Sequence, residues 1–85
     1  MAVVTLPGLL AEQAGGRKRF EVDATTVGEA LRGLPVADLL FDERGALRPL
    51  VNVYVDGRDA KLDGGLDCEL ASTSDVRVVA AVAGG

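Results

Sequence analysis

Histidine and tryptophan are absent from this chain, and cysteine and methionine occur once each. Without histidine there is no imidazole base, no histidine-activated nucleophile and no imidazole metal site. One cysteine, Cys68, rules out an internal disulfide framework and cannot build a structural zinc site; it suits a reducing cytoplasm, the expected location. Aromatic residues are only 4% of the chain, so any core must be aliphatic, yet 48% of the residues are hydrophobic, which argues against disorder. Phosphate-cradling glycine motifs are missing too, because the glycines fall as isolated pairs, Gly15-Gly16 and Gly64-Gly65, in turn contexts. Asp63 to Asp67 lacks the ligand spacing of a calcium loop. Such an inventory points to a chain that catalyses nothing alone.

Further absences narrow the partners. A net charge of −4 leaves no basic surface of the kind nucleic acid requires. The one basic run, Arg17-Lys18-Arg19, alternates into a strand pattern and reads as a solvated face. No apolar run approaches the ~18 residues of a membrane span, and Met1 to Pro7 lacks the basic start of a signal peptide. At 85 residues the chain suffices for a single domain with one modest core.

What is present is orderly. Ala2 to Leu6 reads as a short β-branched strand ended by Pro7-Gly8, and Leu9 to Ala14 as one or two helical turns stopped by Gly15-Gly16. From Arg17 to Asp23 residues alternate, with Phe20 and Val22 on one face, which predicts a strand running back antiparallel to the first. Val27, Ala30, Leu31 and Leu34 recur at helical spacing, and Thr26 with Glu29 fits a capping box, so the main helix is expected over about 26–34. Pro35 either ends it or starts a second short helix carrying Val36, Leu39 and Leu40. Leu50 to Val55 is the strongest strand signal, Asp56-Gly57 predicts a type I′ hairpin turn, and Arg58 to Lys61 returns. Leu62 to Ser74 reads as a long connection pinned by Leu66 and Leu70. Val76 to Val82 is a last strand leading into Ala83-Gly84-Gly85. Five strands on one main helix make a compact α+β roll with a mixed sheet.

The final dipeptide, Gly84-Gly85, carries the chemical content. Glycine has no Cβ, so an extended glycine tail can thread a slot closed to other residues. A terminal carboxylate is ionised at neutral pH and a poor electrophile, so it becomes useful only when a partner activates it. Four extended residues, Val82 to Gly85, reach about 13 Å, enough to enter a partner's active site from a docked domain. Docking calls for an exposed apolar patch, and Val79 is the candidate, since it departs from the parity of Val76, Val78, Ala80 and Val82. Val79 could equally fill a core against a second layer.

Four segments, Leu50-Val51-Asn52-Val53-Tyr54-Val55-Asp56-Gly57, Gly64-Gly65-Leu66, Asp75-Val76 and Ala81-Val82-Ala83-Gly84-Gly85, together with the element order, resemble the β-grasp, ubiquitin-like sulfur carriers of the MoaD/ThiS/CysO group. The CysO-like and MoaD-like members are the nearest in pattern. The resemblance is close over residues 50–85; over 1–49 it rests on the strand-strand-helix order. It implies a single carrier domain over 1–85 with a flexible tail at 82–85. It further implies that an E1-like enzyme of MoeB/ThiF type adenylates the Gly85 carboxylate with ATP and magnesium. A sulfurtransferase or sulfide donor then displaces AMP, leaving a Gly85 thiocarboxylate. That thioacid serves a sulfur-accepting synthase making cysteine or another sulfur metabolite, and a metalloprotease that processes the tail or releases product is a further implied partner. Cofactors and catalytic cysteines belong to those partners. The small subunit of molybdopterin synthase, and a ubiquitin-like modifier joined to lysines through Gly85, share the same tail chemistry and remain open. The chain departs from the group's pattern at Ser72-Thr73-Ser74-Asp75, where a glycine is common, and at Ala80-Ala81, where a proline is. Cys68 sits between Asp67 and Glu69, whose charges are expected to raise its pKa and make it a packing residue rather than a sulfur relay.

Overall fold

The computed structural model describes residues 1–80. Its centre is one five-stranded mixed sheet in the order β2-β1-β5-β3-β4. β1 (Ala2–Thr5) and β2 (Arg19–Val22) form the first antiparallel pair, with Val4 opposite Phe20. β3 (Val51–Val55) and β4 (Arg58–Asp59) form the second hairpin. The last strand, β5 (Asp75–Ala80), lies between the hairpins, parallel to β1 and antiparallel to β3. The mixed sheet of the α+β roll is therefore as the sequence implies. Its edges are the short strand β4 and the charged strand β2, a common way of discouraging strand addition.

Alternation along each strand separates two faces. Ala2, Val4, Phe20, Val51, Val53, Val76 and Val78 are buried on one face, and the intervening residues lie on the other. The buried face is covered by α2 (Val27–Arg32), whose Val27, Ala30 and Leu31, with Leu34 just beyond, form the apolar stripe. At its start the Thr26 hydroxyl accepts from the Glu29 amide at 3.2 Å, satisfying one of the free amides of the first turn. The reciprocal half of the capping box does not form. The Glu29 carboxylate takes the hydroxyl hydrogen of Thr25 instead, while the strand-like path of Thr26 pairs with Glu69.

Two further helices flank α2: α1 (Gly8–Gln13), which buries Leu10 and Ala11, and α3 (Ala37–Leu40), which buries Leu40. α2 stops at Arg32 with Gly33 as its C-cap, short of the expected end at 34, and Pro35 lies in the turn before α3, where its ring is tolerated as it would not be in a helix interior. The β3–β4 turn is of the expected mirror-image type, with φ of +51° at Asp56 and +87° at Gly57.

Over Leu62 to Ser74 the structure differs from a plain connection. Two 3₁₀ turns, Ala60–Asp63 and Gly65–Asp67, are joined at Gly64, whose φ of +102° breaks the winding. They also take over the expected end of β4, since the Asp59 carboxylate caps the first of them through the Lys61 amide at 3.0 Å. Leu66 and Leu70 pack on the core as expected, and Cys68 is buried with it. The turn that departs from the group's pattern is held by Ser74, which is buried and whose hydroxyl accepts from the Ala71 amide at 2.9 Å. β5 begins one residue earlier than expected, at Asp75, which pairs with Val3 of β1; the Asp56 carboxylate also accepts from the Asp75 amide at 2.9 Å.

Candidate functional site

Residues 81–85 follow directly on β5, so the placement of that strand decides which surface a partner meets when it engages the tail. Val82, Ala83, Gly84 and Gly85, named from the sequence as the tail and its reactive end, lie outside the described residues. Val79 lies within them. Its side chain is 39% exposed on the uncovered face, whereas Val76 and Val78 are fully or almost fully buried. Core filling is thereby removed as the reason for Val79: no second layer covers it among the described residues.

Register places the neighbours of Val79. Asn52 is opposite it on β3, and one step back Tyr54 is opposite Arg77. On the other side of β5, Thr5 of β1 is level with Arg77, and Arg19 of β2 is opposite Thr5. Tyr54, Asp56, Gly57, Asp75, Arg77 and Val79 line a shallow groove along the β3–β5 seam. Half-exposed Leu50 immediately precedes β3, whose first residue pairs with Ala80, so it adds apolar surface at the level where β5 ends. Sequence reasoning singled out Val79 alone. The alternation of Asn52 and Tyr54 against Val51, Val53 and Val55 already carried the signal for Tyr54. Arg77 and Arg19 needed the strand order.

Cys68 is away from this surface. It is buried beside α2, its carbonyl accepting from the Val27 amide at 3.0 Å. Burial, followed by the carboxylates of Asp63 and Glu69 and opposed by Arg58, pushes its thiol above the ordinary value. The direction is the expected one, but the leading cause is desolvation rather than the flanking acids, and Asp63 contributes where Asp67 was expected to. A thiol so placed is protonated and poorly nucleophilic near neutral pH. Among the described residues no group of three or more metal-ligating side chains converges, and no helix is long and apolar enough to cross a membrane.

The chain has known relatives over nearly its whole length. The sulfur carrier protein CysO of Mycobacterium tuberculosis (strain ATCC 25618 / H37Rv) is 32% identical over 89 residues, covering 96% of this chain and 96% of the relative. A chain in the crystal structure of the Amycolatopsis orientalis BexX/CysO complex superposes with a TM-score of 0.87 at 28% identity, each chain covered to 100%. The H. volcanii small archaeal modifier protein 1 superposes with a TM-score of 0.75 at 28% identity, covering 95% of this chain and 97% of that one. The sheet is thus the β-grasp arrangement that the sequence pattern resembles. The family model of the ThiS family matches residues 4–85, from the first strand through the glycine pair, and the chain belongs to that family.

Proposed function

We propose that this protein is a sulfur carrier, a co-substrate rather than an enzyme, whose Gly85 carboxylate is converted to a thiocarboxylate. The observation that carries the reading is the central position of β5. It is gripped by β1 on one side and β3 on the other, and the residues that follow it end in two glycines. Kinship with the CysO sulfur carriers supports it.

The chemistry follows from the carboxylate. An E1-like partner joins the Gly85 carboxylate to the α-phosphate of ATP, releasing pyrophosphate and forming an acyl-adenylate. A sulfide donor adds to the acyl carbon and AMP leaves, so a carbon–oxygen bond is exchanged for a carbon–sulfur bond. The thioacid is anionic at neutral pH and a soft nucleophile toward the electrophile of an accepting synthase. Val79, Tyr54 and Leu50 offer the apolar surface on which such partners dock. The solved complex of a related carrier with BexX supports docking of this kind. The likeness to an archaeal modifier protein favours a second reading, in which a lysine amine displaces AMP and an amide bond results.

Intact-mass measurement after incubation with the E1-like partner, ATP and a sulfide donor tests the proposal. The mass rises by the oxygen-to-sulfur difference, localised to Gly85. Deleting Gly85 removes the shift without unfolding the domain, whose buried cluster among the described residues runs from Val4 to Val78. Gly84→Val folds but is activated poorly, because a branched Cβ narrows the path to the reactive end. A wild-type chain that keeps an ordinary carboxylate, or a truncated chain that is still charged, refutes it; transfer to lysine instead selects the modifier reading.

A further inference from the structure

The uncovered face of the sheet is divided by charge. At the level of Val3, the end remote from the tail, the outward residues are Glu21 on β2 and Asp75 on β5, with Asp56 fastened to the Asp75 amide. One step toward the tail, Arg19, Thr5, Arg77 and Tyr54 form a continuous row across β2, β1, β5 and β3. One step further, Val79 faces Asn52, whose side-chain oxygen accepts from Lys61 Nζ at 3.3 Å. The acidic half therefore holds Glu21, Asp75 and Asp56, and the half next to the tail holds Arg19, Arg77 and Lys61. Asp59, the carboxylate opposite Tyr54, is turned onto the Lys61 amide.

This separation runs against composition, since the chain as a whole carries a net charge of −4. Arg19 and Arg77 make no side-chain hydrogen bond among the described residues, Lys61 donates only to the neutral Asn52 amide oxygen, and the single ion pair there is Arg58 with Asp63. Arg19 and Arg77 stand two strand spacings apart, about 10 Å, with only the Thr5 side chain between them. A planar guanidinium is suited to bidentate contact with a carboxylate, and two at this spacing suit a pair of acids on one partner surface.

We propose that the enzyme activating the tail docks through an acidic surface, placing carboxylates on Arg77, Arg19 and Lys61 beside an apolar contact with Val79 and Tyr54. The inference rests on the carrier reading for the partner's identity. Its ground is positional: whatever handles residues 81–85 covers the rows nearest Ala80, and those rows are cationic and apolar. The acids on the far half disfavour a docking pose rotated end for end, because carboxylate would then face carboxylate.

The test is binding of the purified E1-like adenylating enzyme of the same organism, by calorimetry without ATP, at low and high ionic strength. Arg77→Glu is expected to weaken binding about tenfold or more at low salt, with the deficit shrinking as salt is raised. Arg77→Gln falls between it and the wild type, and Glu21→Gln stays within about twofold. Thermal melts coinciding with the wild type show that the exposed variants fold. Equal affinity and salt response for Arg77→Glu and wild type overturns the inference. Salt-sensitive binding by a wild-type chain that never acquires sulfur leaves the docking inference standing and removes the thiocarboxylate reading instead.

Discussion

Leu31→Ala offers the most direct measure of how α2 holds the sheet. Leu31 is 0% exposed and sits in the middle of the 27/30/31/34 stripe, against the buried face on which Val4 and Val76 lie. Truncation removes three heavy atoms from a site that cannot collapse freely, because the sheet beneath it is tied on both sides. A loss of about 2–5 kcal/mol is expected from the transfer and cavity terms together. For 85 residues the unfolding entropy is about 0.18 kcal/mol/K, so a 3 kcal/mol loss lowers Tm by about 17 °C. The total stability of a domain this size is about 4–13 kcal/mol, so the variant remains folded at low temperature only if the wild type lies above the bottom of that range. Leu62→Ala is the internal control, since the same chemical change is made at a side chain 73% exposed; its effect stays within about 0.5 kcal/mol. Thermal and urea unfolding followed by circular dichroism give both numbers. If the two variants melt together, α2 does not pack on the sheet and the fold described here is wrong.

Thr26→Ala removes the hydroxyl that accepts from Glu29 and is expected to cost about 1 kcal/mol, read as a shift in the urea midpoint with an unchanged slope. Cys68→Ala is expected to support full thiocarboxylate formation by intact mass, since its thiol is buried away from the tail-side surface; a folded variant that accepts no sulfur would show the thiol to be a relay. Because the folded thiol has a raised pKa, its contribution to stability is whole below the unfolded value and is lost as pH rises through the folded one. Wild-type Tm should therefore fall more steeply than that of Cys68→Ala in that alkaline window, and parallel curves would contradict the burial.

The parts legible in the sequence are those encoded by short-range repetition. The stripe from Val27 to Leu34, the alternation through Val51, Val53 and Val55, and Asp56-Gly57 each specify their own local geometry. The segment from Ala60 to Asp67 was not legible, because 3₁₀ turns of three or four residues leave no periodicity, and Gly64 gives no hint that it joins two of them. Val79 shows a different limit. Its parity was plain, but whether its face was covered depended on where every helix docked, and all three lie on the other side among the described residues. Arg19 and Arg77 show the same limit more sharply. Far apart in the chain, they become neighbours only through the parallel β1–β5 pairing, which no local pattern announces.

That pairing has a mechanical consequence. β5 is bonded along both edges, to β1 and to β3, and the chain continues from its end into the residues a partner would grasp. A pull on that end acts along the strand, so both ladders are loaded in shear and their bonds resist together. A hairpin pulled apart at its open end instead yields one bond at a time. The domain can therefore serve as a firm handle: traction on the tail moves the whole body without peeling a strand from it.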